Sequence, residues 1–197
     1  MADAKYDVLG IGNAIFDVLV QTDEAFLARH GMTKGSMQLI DENSATAIYS
    51  DMGTATEVSG GSAANTIVGV GNLGARAAYV GKVKDDQIGR LYVHDIRAAG
   101  VTFDTKPAAT GPATGCCYIL VTPDGERTMN TYLGAAQDLT PDDIDPAQIE
   151  AAGIMRNFGR LDEGVLGVLG IPEITFEVDD GGGRDLGRVD VGGRQIL

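Results

Sequence analysis

A glycine pair followed by a short polar segment is the feature of the sequence best suited to binding chemistry. Residues typical of a strand precede Gly60 and Gly61, and Ser62 is placed to cap a helix that starts at residue 63. Because glycine has no side chain, a polar ligand can closely approach the free backbone N–H groups at such a helix start. Asn65, in the first turn, offers both a hydrogen-bond donor and an acceptor. The segment from Gly60 to Asn65 is therefore a candidate binding site for a polar ligand.

Two further polar residues follow the first predicted strand. Asn13 comes directly after Gly12, and Asp17 lies four residues beyond it. Ligands of α/β proteins bind at the ends of strands. A carboxylate can accept hydrogen bonds from two neighbouring hydroxyl groups, and an amide completes that pattern. Asn13 and Asp17 are therefore candidates for binding a ligand with paired hydroxyl groups.

Ordinary turn chemistry also explains each of these patterns when it is taken alone. A tight turn accounts for the glycine pair, and an asparagine turn beside a solvent-facing aspartate accounts for Asn13 and Asp17. The glycine pair is not a dinucleotide-binding fingerprint, because the third glycine is missing at the required spacing. The chain also contains no Gly-Lys-Ser/Thr sequence, which excludes a phosphate-binding P-loop of that type.

The elements that must position these residues alternate between strands and helices over the first hundred residues. Strands are predicted at 6–11, 15–20, 37–40, 54–59, 75–80 and 101–103, and helices at 24–30, 42–52, 63–73 and 87–99. This alternation favours a parallel sheet covered by helices, which is an α/β fold. Asp23 and Asp41 are predicted to cap the first two helices.

The pattern changes after this region. Strands are predicted at 114–122 and 127–133, joined by the turn sequence Pro123-Asp124-Gly125-Glu126. An antiparallel hairpin beside a parallel sheet indicates a lid or an edge flap. A helix is predicted at 141–152, with Thr140 as its cap and Pro141 in its first position.

Composition and charge exclude several classes of partner. The formal net charge of −13 argues against binding nucleic acid or anionic lipid, since both require clustered lysine and arginine. No basic patch followed by an apolar stretch marks a signal peptide, and no apolar run approaches the ~20 residues that cross a bilayer. Cys116 and Cys117 are neighbours in the chain, so we expect two reduced thiols rather than a staple, a redox pair or a metal site. The cytoplasm is the expected location.

Several of these segments together resemble the ribokinase/PfkB family of sugar and nucleoside kinases. The resemblance is carried by residues 7–13 with Asp17, 60–66 with Gly74, 79–86 with Gly89, and the hairpin 123–129. It extends over about residues 5–154, and its details are most similar to bacterial adenosine-kinase-like members. The resemblance implies a ribokinase-like parallel sheet flanked by helices, with a small β-lid.

The resemblance also implies roles for individual residues. Asp17 would bind the hydroxyl groups of a sugar or nucleoside, assisted by Asn13, Gly61 and Asn65. The Gly60-Gly61 pair would act as a hinge of the lid, and Arg127 could reach the transferring phosphate, although an exposed turn arginine explains that residue as well. ATP and Mg²⁺ are the cofactors that the family implies, and no site for either can be identified in this chain.

Three departures from the family pattern stand out. Ile67 occupies a position where the first signature usually has a small residue, and Lys84 replaces the last glycine of the following loop. The third departure concerns the catalytic base, which in the family is an aspartate in a Gly-Ala-Gly-Asp motif. That motif does not occur in these 197 residues, so we identify no catalytic residue.

The residues from 155 to 197, called the tail below, differ in composition from those before them. The tail contains no alanine and no lysine and is rich in glycine and arginine. We expect residues 1–154 to form the substrate-binding part with its lid strands, and the tail to be poorly ordered apart from a strand at 174–178, with an out-of-frame reading as its origin. The chain is accordingly expected to be truncated and inactive alone. A non-catalytic sugar- or nucleoside-binding remnant, or a gene fragment without function, remains the alternative, with self-association through the lid or an exposed sheet edge.

Overall fold

The structure is a computed structural model that describes residues 4–158, 189–191 and 194–196. Its strands are β1 (Tyr6–Gly12), β2 (Ile15–Gln21), β3 (Met37–Leu39), β4 (Thr56–Gly60), β5 (Ala77–Val80), β6 (Gly115–Val121), β7 (Arg127–Tyr132), β8 (Ala152–Phe158), β9 (Val189–Val191) and β10 (Arg194–Ile196). Its α-helices are α1 (Glu24–Arg29), α2 (Glu42–Asp51), α3 (Ser62–Asn72), α4 (Gln87–Ala98) and α5 (Pro146–Glu150).

The first of two sheets, called the main sheet, has the strand order β5-β1-β8-β10-β9. Its pairs β1–β5, β1–β8 and β8–β10 are parallel, while β9 and β10 are antiparallel. Leu9 and Ile11 of β1 are fully buried on one face, and Val8 packs against a second apolar cluster on the other, as expected for a strand of a sheet covered on both faces. The main sheet and its helices confirm the predicted α/β class.

The second sheet, called the small sheet, has the strand order β3-β7-β6-β2-β4. The β6–β7 pair is the predicted hairpin, and its turn is closed by the Thr122 N–H, which donates to the Glu126 carbonyl at 3.0 Å. Helices α1 and α2 bury Phe26 and Ile48 against the face of this sheet that carries Phe16 and Val18. The predicted hairpin and the strands that carry Asp17 and Met37 thus lie together in one separate sheet, which also includes β4.

The helix starts follow the sequence closely, with one exception at the glycine corner. The carboxylates of Asp23 and Asp41 accept backbone N–H groups at the starts of α1 and α2, as predicted. Ser62 was expected to cap α3, but it is the first helical residue and Gly61 is the cap, with φ 89° and no side-chain hydrogen bond. The positive φ explains this difference, because glycine adopts it without steric cost.

Two other elements are shorter than the sequence pattern predicts. The helix expected at 141–152 is divided into a 3₁₀ turn, Pro141–Asp143, and α5. The division lies before Pro146, since the residue preceding a proline is disfavoured in the helical conformation. The strand expected at 101–103 is reduced to a single parallel bridge between Thr102 and Ala78.

Strand β8 continues past residue 154 and pairs with β1 as far as Phe158 opposite Gly12. Beyond it, the described part of the tail consists of β9 and β10. The strand predicted at 174–178 lies outside the described residues, and the division of the chain at residue 154 stays a prediction. None of the helices that the structure describes combines the length and apolar character needed to cross a membrane.

Candidate functional site

Asp17 lies in the middle of β2, between β4 and β6. Its half-buried carboxylate packs directly against Gly60, where a Cβ atom would overlap it. Within the described part of the chain, this carboxylate has no hydrogen-bond or ion-pair partner. Burial raises the pKa of Asp17 to about 6. A half-buried acid that lacks a partner and has a shifted pKa is typical of a functional site.

The backbone at Gly61 lies next to both Asn13 and Asn65. A Cβ atom on Gly61 would lie 2.9 Å from the carbonyl oxygen of Asn13, so only glycine fits here. The Asn65 N–H donates to the Gly61 carbonyl at 2.9 Å in the first turn of α3. The chain crosses from the main sheet to the small sheet at Asn13 and returns through Gly61. The five predicted substrate-binding residues, Asn13, Asp17, Gly60, Gly61 and Asn65, therefore meet where the two sheets join, and we call this place the corner. Their role in binding stays a prediction.

The face of the small sheet that carries Asp17 is mostly apolar, and we call it the Asp17 face. Strand pairing places on it the apolar residues Ile15, Leu19, Met37, Leu39, Val58, Cys117, Ile119, Val121 and Met129, together with Asp17, Thr131 and, farther along the strands, Thr56, Gln21 and Arg127. Met37, Leu39 and Val58 are 59%, 63% and 47% exposed. This face offers a single carboxylate within an apolar surface.

Cys117 is the residue of β6 that pairs with Asp17, and Thr131 donates a hydrogen bond to its sulfur at 3.3 Å. Both Cys117 and its neighbour Cys116 are free and buried. Burial raises the pKa of the Cys116 thiol to about 12 and also raises that of Cys117. Both therefore remain neutral thiols at neutral pH, and neither competes with Asp17 as an anion.

Two buried tyrosines, which the sequence did not indicate as site residues, donate hydrogen bonds to backbone carbonyls at the corner. The Tyr79 hydroxyl donates to the Gly12 carbonyl at 2.8 Å, and the Tyr92 hydroxyl donates to the Gly60 carbonyl at 3.3 Å. Both rings pack on Phe103, with centroids 5.9 Å and 6.1 Å away. The helix predicted at 87–99 contains Tyr92, but its sequence pattern shows no partner for the Tyr92 hydroxyl.

Arg127 lies away from this corner. It begins β7 and pairs with Val121, which pairs with Gln21 at the end of β2. Asp17 is four strand positions from Gln21, a distance of roughly 13 Å along the sheet. The structure thus does not bring the exposed Arg127 together with the other five residues, and its contact with a phosphate stays a prediction.

The two smaller departures from the family pattern are accommodated locally. The Ile67 side chain fills the space above Gly10 of β1, where a Cβ atom would lie 2.7 Å from its Cδ1. Lys84 donates from Nζ to the Gly111 carbonyl at 2.7 Å, and its own N–H donates to the Thr114 hydroxyl at 3.0 Å. Both residues therefore have structural roles outside the corner.

A separate cavity of about 530 Å³ lies near the start of β1 and contains none of the five corner residues. Two polar atoms in its lining, Thr105 Oγ1 and Gln148 Nε2, have no hydrogen-bond partner within the described residues. Lysines and aspartates are mixed along its wall, so its charge indicates no particular ligand. The cavity is therefore separate from the corner that contains Asp17 and Gly61.

Comparison with known proteins places this geometry in a family. The model of the "pfkB family carbohydrate kinase" matches residues 35–163. "Probable fructokinase-4" of Arabidopsis thaliana is 32% identical over 104 residues, which cover 52% of this chain and 32% of that protein. The ribokinase of Bacillus subtilis (strain 168) is 34% identical over 84 residues, covering 43% of this chain and 28% of that protein.

Solved structures share the arrangement more closely. The adenosine kinase from Sinorhizobium meliloti superposes with a TM-score of 0.74 at 52% identity, covering 78% of this chain and 47% of that one. A probable sugar kinase from Rhizobium etli CFN 42 has a TM-score of 0.74 at 47% identity, with the same coverage. Adenosine kinase from Schistosoma mansoni in complex with adenosine has a TM-score of 0.69 at 26% identity, covering 78% of this chain and 46% of that one. The chain spans less than half of the length of these structures.

Proposed function

Because the chain belongs to the PfkB family of carbohydrate kinases, we propose that it is the substrate-binding part of an ATP-dependent kinase for a sugar or nucleoside. The observation that carries the proposal is the Asp17 carboxylate, which is half-buried, lacks a partner among the described residues, and lies beside the bare Gly60. The group phosphorylated would be a primary hydroxyl of the substrate.

The chemistry of recognition follows from the donors and acceptors at the corner. An ionised Asp17 accepts hydrogen bonds from two neighbouring hydroxyl groups, such as those of a ribose ring. The side chains of Asn13 and Asn65 make no hydrogen bonds within the described part, so they are free to complete the pattern. Gly60 and Gly61 leave the backbone bare, which allows the sugar ring to lie close to it.

The Asp17 face favours a nucleoside over a free sugar. The exposed apolar side chains of this face are Met37, Leu39 and Val58, and Val58 is the residue of β4 that pairs with Asp17. A nucleobase has large apolar faces that can pack on such a surface. A free ribose would leave this surface without a partner. We therefore propose adenosine or a similar nucleoside as the substrate, with ribose as the second candidate.

We identify no site for ATP or Mg²⁺ among the described residues. The described part contains no cluster of three histidine, cysteine or carboxylate side chains that could hold a metal ion. The 197 residues contain no Gly-Ala-Gly-Asp motif. No transfer step is therefore assigned to these residues, and we propose that this chain by itself binds substrate without phosphorylating it.

Titration calorimetry with adenosine and with ribose tests the proposal on the 197-residue chain. We expect adenosine to bind, and Asp17→Asn to weaken binding about 10- to 100-fold, because hydrogen bonds to a charged group contribute about 1.5–3 kcal/mol. Asp142→Asn, an exposed acid distant from the corner, is the matched control and should bind as the wild type does. Equal binding by wild type and Asp17→Asn, or no binding of either ligand, would contradict the proposal.

An ATP-consumption assay with the same two ligands tests the second half of the proposal. We expect no turnover, and sustained turnover would show that a catalytic base has been overlooked. Size-exclusion chromatography then separates a compact binding protein from an aggregating fragment. Self-association would use the exposed Met37 and Leu39 of the edge strand β3 or Val58 of the edge strand β4.

A further inference from the structure

Helix α4 connects to the small sheet at three points, all close to the corner. The Asp86 carboxylate accepts the N–H and the hydroxyl of Thr114 at 3.0 Å and 2.8 Å, directly before β6. The Ser59 hydroxyl in β4 donates to Asp95 at 2.7 Å. The Tyr92 hydroxyl donates to the Gly60 carbonyl, next to Ser59. One rigid helix thus fixes the two strands that lie on either side of β2.

The bond from Tyr92 has a particular consequence for Asp17. Gly60 has the Tyr92 hydroxyl on its carbonyl and the Asp17 carboxylate against its Cα. Tyr92 itself is 1% exposed and packs edge-on against Phe103, so its hydroxyl has little freedom to move. The position of the Gly60 peptide therefore depends on Tyr92, and the burial of the Asp17 carboxylate depends on Gly60.

We propose that Tyr92 is a positioning residue for substrate binding: by holding the Gly60 carbonyl, it fixes the place and the burial of the Asp17 carboxylate. Its effect on affinity rests on the proposed function, whereas its effect on the ionisation of Asp17 does not. Tyr92 can keep its hydrogen bond to the Gly60 carbonyl while Asp17 titrates, because its hydroxyl stays neutral over that pH range. Burial keeps the pKa of Tyr92 above its ordinary value.

The surroundings of Asp17 allow this effect to be measured cleanly. The titratable groups that interact with its charge are Tyr92 from α4 and Cys116 and Cys117 from β6. Burial raises the pKa of each of the three, so all remain neutral between pH 4 and pH 8. A change in the titration of Asp17 in this range therefore reports its burial and not a change in a neighbouring charge.

The test is Tyr92→Phe, which keeps the ring and removes only the hydroxyl group. Tyr118→Phe is the matched control, since Tyr118 is also a buried tyrosine and its hydroxyl makes no hydrogen bond in the described part of the chain. Carbon-13 NMR follows the Asp17 carboxyl in the free protein from pH 4 to pH 8, and calorimetry measures adenosine affinity at pH 7.5.

In Tyr92→Phe we expect the pKa of Asp17 to fall from about 6 towards its ordinary value, because the Gly60 peptide relaxes and water reaches the carboxylate. Adenosine affinity should fall about five- to tenfold, the effect of one hydrogen bond. Tyr118→Phe should change neither quantity. An unchanged Asp17 titration in Tyr92→Phe overturns the proposal, and so does unchanged affinity when the wild type binds.

The test remains decisive if the wild type does not bind adenosine or if Tyr92→Phe does not fold. If the wild type binds no adenosine, the proposed function fails, and the Asp17 titration alone decides whether Tyr92 positions the carboxylate. If Tyr92→Phe does not fold, Phe103→Leu removes the ring against which Tyr92 packs and so loosens the hold of Tyr92 on the Gly60 carbonyl. That variant must then shift the Asp17 titration in the same direction, and an unchanged titration would overturn the proposal.

Discussion

At the scale of single residues, the environment of Asp17 explains why this position suits a ligand with hydroxyl groups. A half-buried carboxylate without a partner is costly, because it has lost water without gaining hydrogen bonds. Within the described residues, the protein supplies none of the missing bonds. Under the proposed function, a substrate with two neighbouring hydroxyl groups would supply them, and their donation would also favour the ionised form of Asp17.

The pKa of Asp17 predicts how binding depends on pH. Burial raises this pKa to about 6, so the carboxylate becomes protonated as the pH falls through 6 and can no longer accept two hydrogen bonds. Adenosine affinity should be about tenfold weaker at pH 5 than at pH 7.5, since one carboxylate in about ten remains ionised. Calorimetry at both values measures this ratio. Asp17→Asn should show no such dependence, and a flat profile for the wild type would refute the role of Asp17.

The glycine corner gives a second prediction, which concerns stability. Gly61→Ala should lower the free energy of unfolding by about 1–3 kcal/mol, because alanine is strained at φ 89° and its Cβ atom meets the Asn13 carbonyl. Gly69→Ala in the same helix has open space around it and should raise stability by about 0.5–1 kcal/mol. Urea denaturation distinguishes the two, and equal effects would contradict the geometry at Gly61.

The sequence identified the corner residues but not the residues that hold them. Gly60, Gly61 and Asp17 were recognisable because they occur together in a pattern that resembles a known family, although turn chemistry explains each of them alone. Tyr79 and Tyr92 were not recognisable, since their hydroxyl partners lie 67 and 32 residues away along the chain. Hydrogen bonds over such separations leave no local pattern in the sequence.

At the scale of elements, the packing of α3 on β1 determines where the corner lies. Ile67 of α3 sits over Gly10 of β1, and this contact fixes the distance between the helix and the strand. The bulky residue in the signature is thus matched by a residue without a side chain on the strand below it. This contact predicts that substitutions of Gly10 and Ile67 have non-additive effects on the free energy of unfolding.

A double-mutant cycle measures that coupling. Gly10→Ala should destabilise the protein by about 1–3 kcal/mol through overlap with Ile67, and Ile67→Ala by about 2–5 kcal/mol through the cavity it creates. The double variant should lose less than the sum, by roughly 0.5–3 kcal/mol, because each change relieves the other. Strictly additive losses in urea denaturation would mean that the two residues do not meet.

Local signals predicted most elements, and tertiary context changed the rest. The aspartate caps of α1 and α2 follow from side-chain oxygens that accept backbone N–H groups within three residues. The cap of α3 was misassigned to Ser62 because the sequence favours a side-chain cap, whereas Gly61 occupies the cap position with a positive φ and no side-chain hydrogen bond. The helix expected at 141–152 overlooked the effect of Pro146 on the residue before it.

At the scale of the whole molecule, the alternation of strands and helices was enough to predict the α/β class and a separate hairpin. It could not predict that β8 lies beside β1, or that β3 joins the small sheet, since both pairings connect residues about 90 or more positions apart. The corner exists because β1 runs directly into β2 and thus from one sheet into the other. Under the proposed function, the substrate would bind at this passage.

The most direct test of this account compares adenosine with 2′,3′-dideoxyadenosine, which lacks both neighbouring hydroxyl groups, on the wild type and on Asp17→Asn. Calorimetry at pH 7.5 should show the wild type losing about 10- to 100-fold in affinity when the hydroxyl groups are removed. Asp17→Asn should bind both ligands weakly and within about threefold of each other, since the amide makes fewer and weaker bonds to the hydroxyl groups. The same ratio of affinities in both proteins would contradict the claim that the Asp17 carboxylate binds the sugar hydroxyl groups.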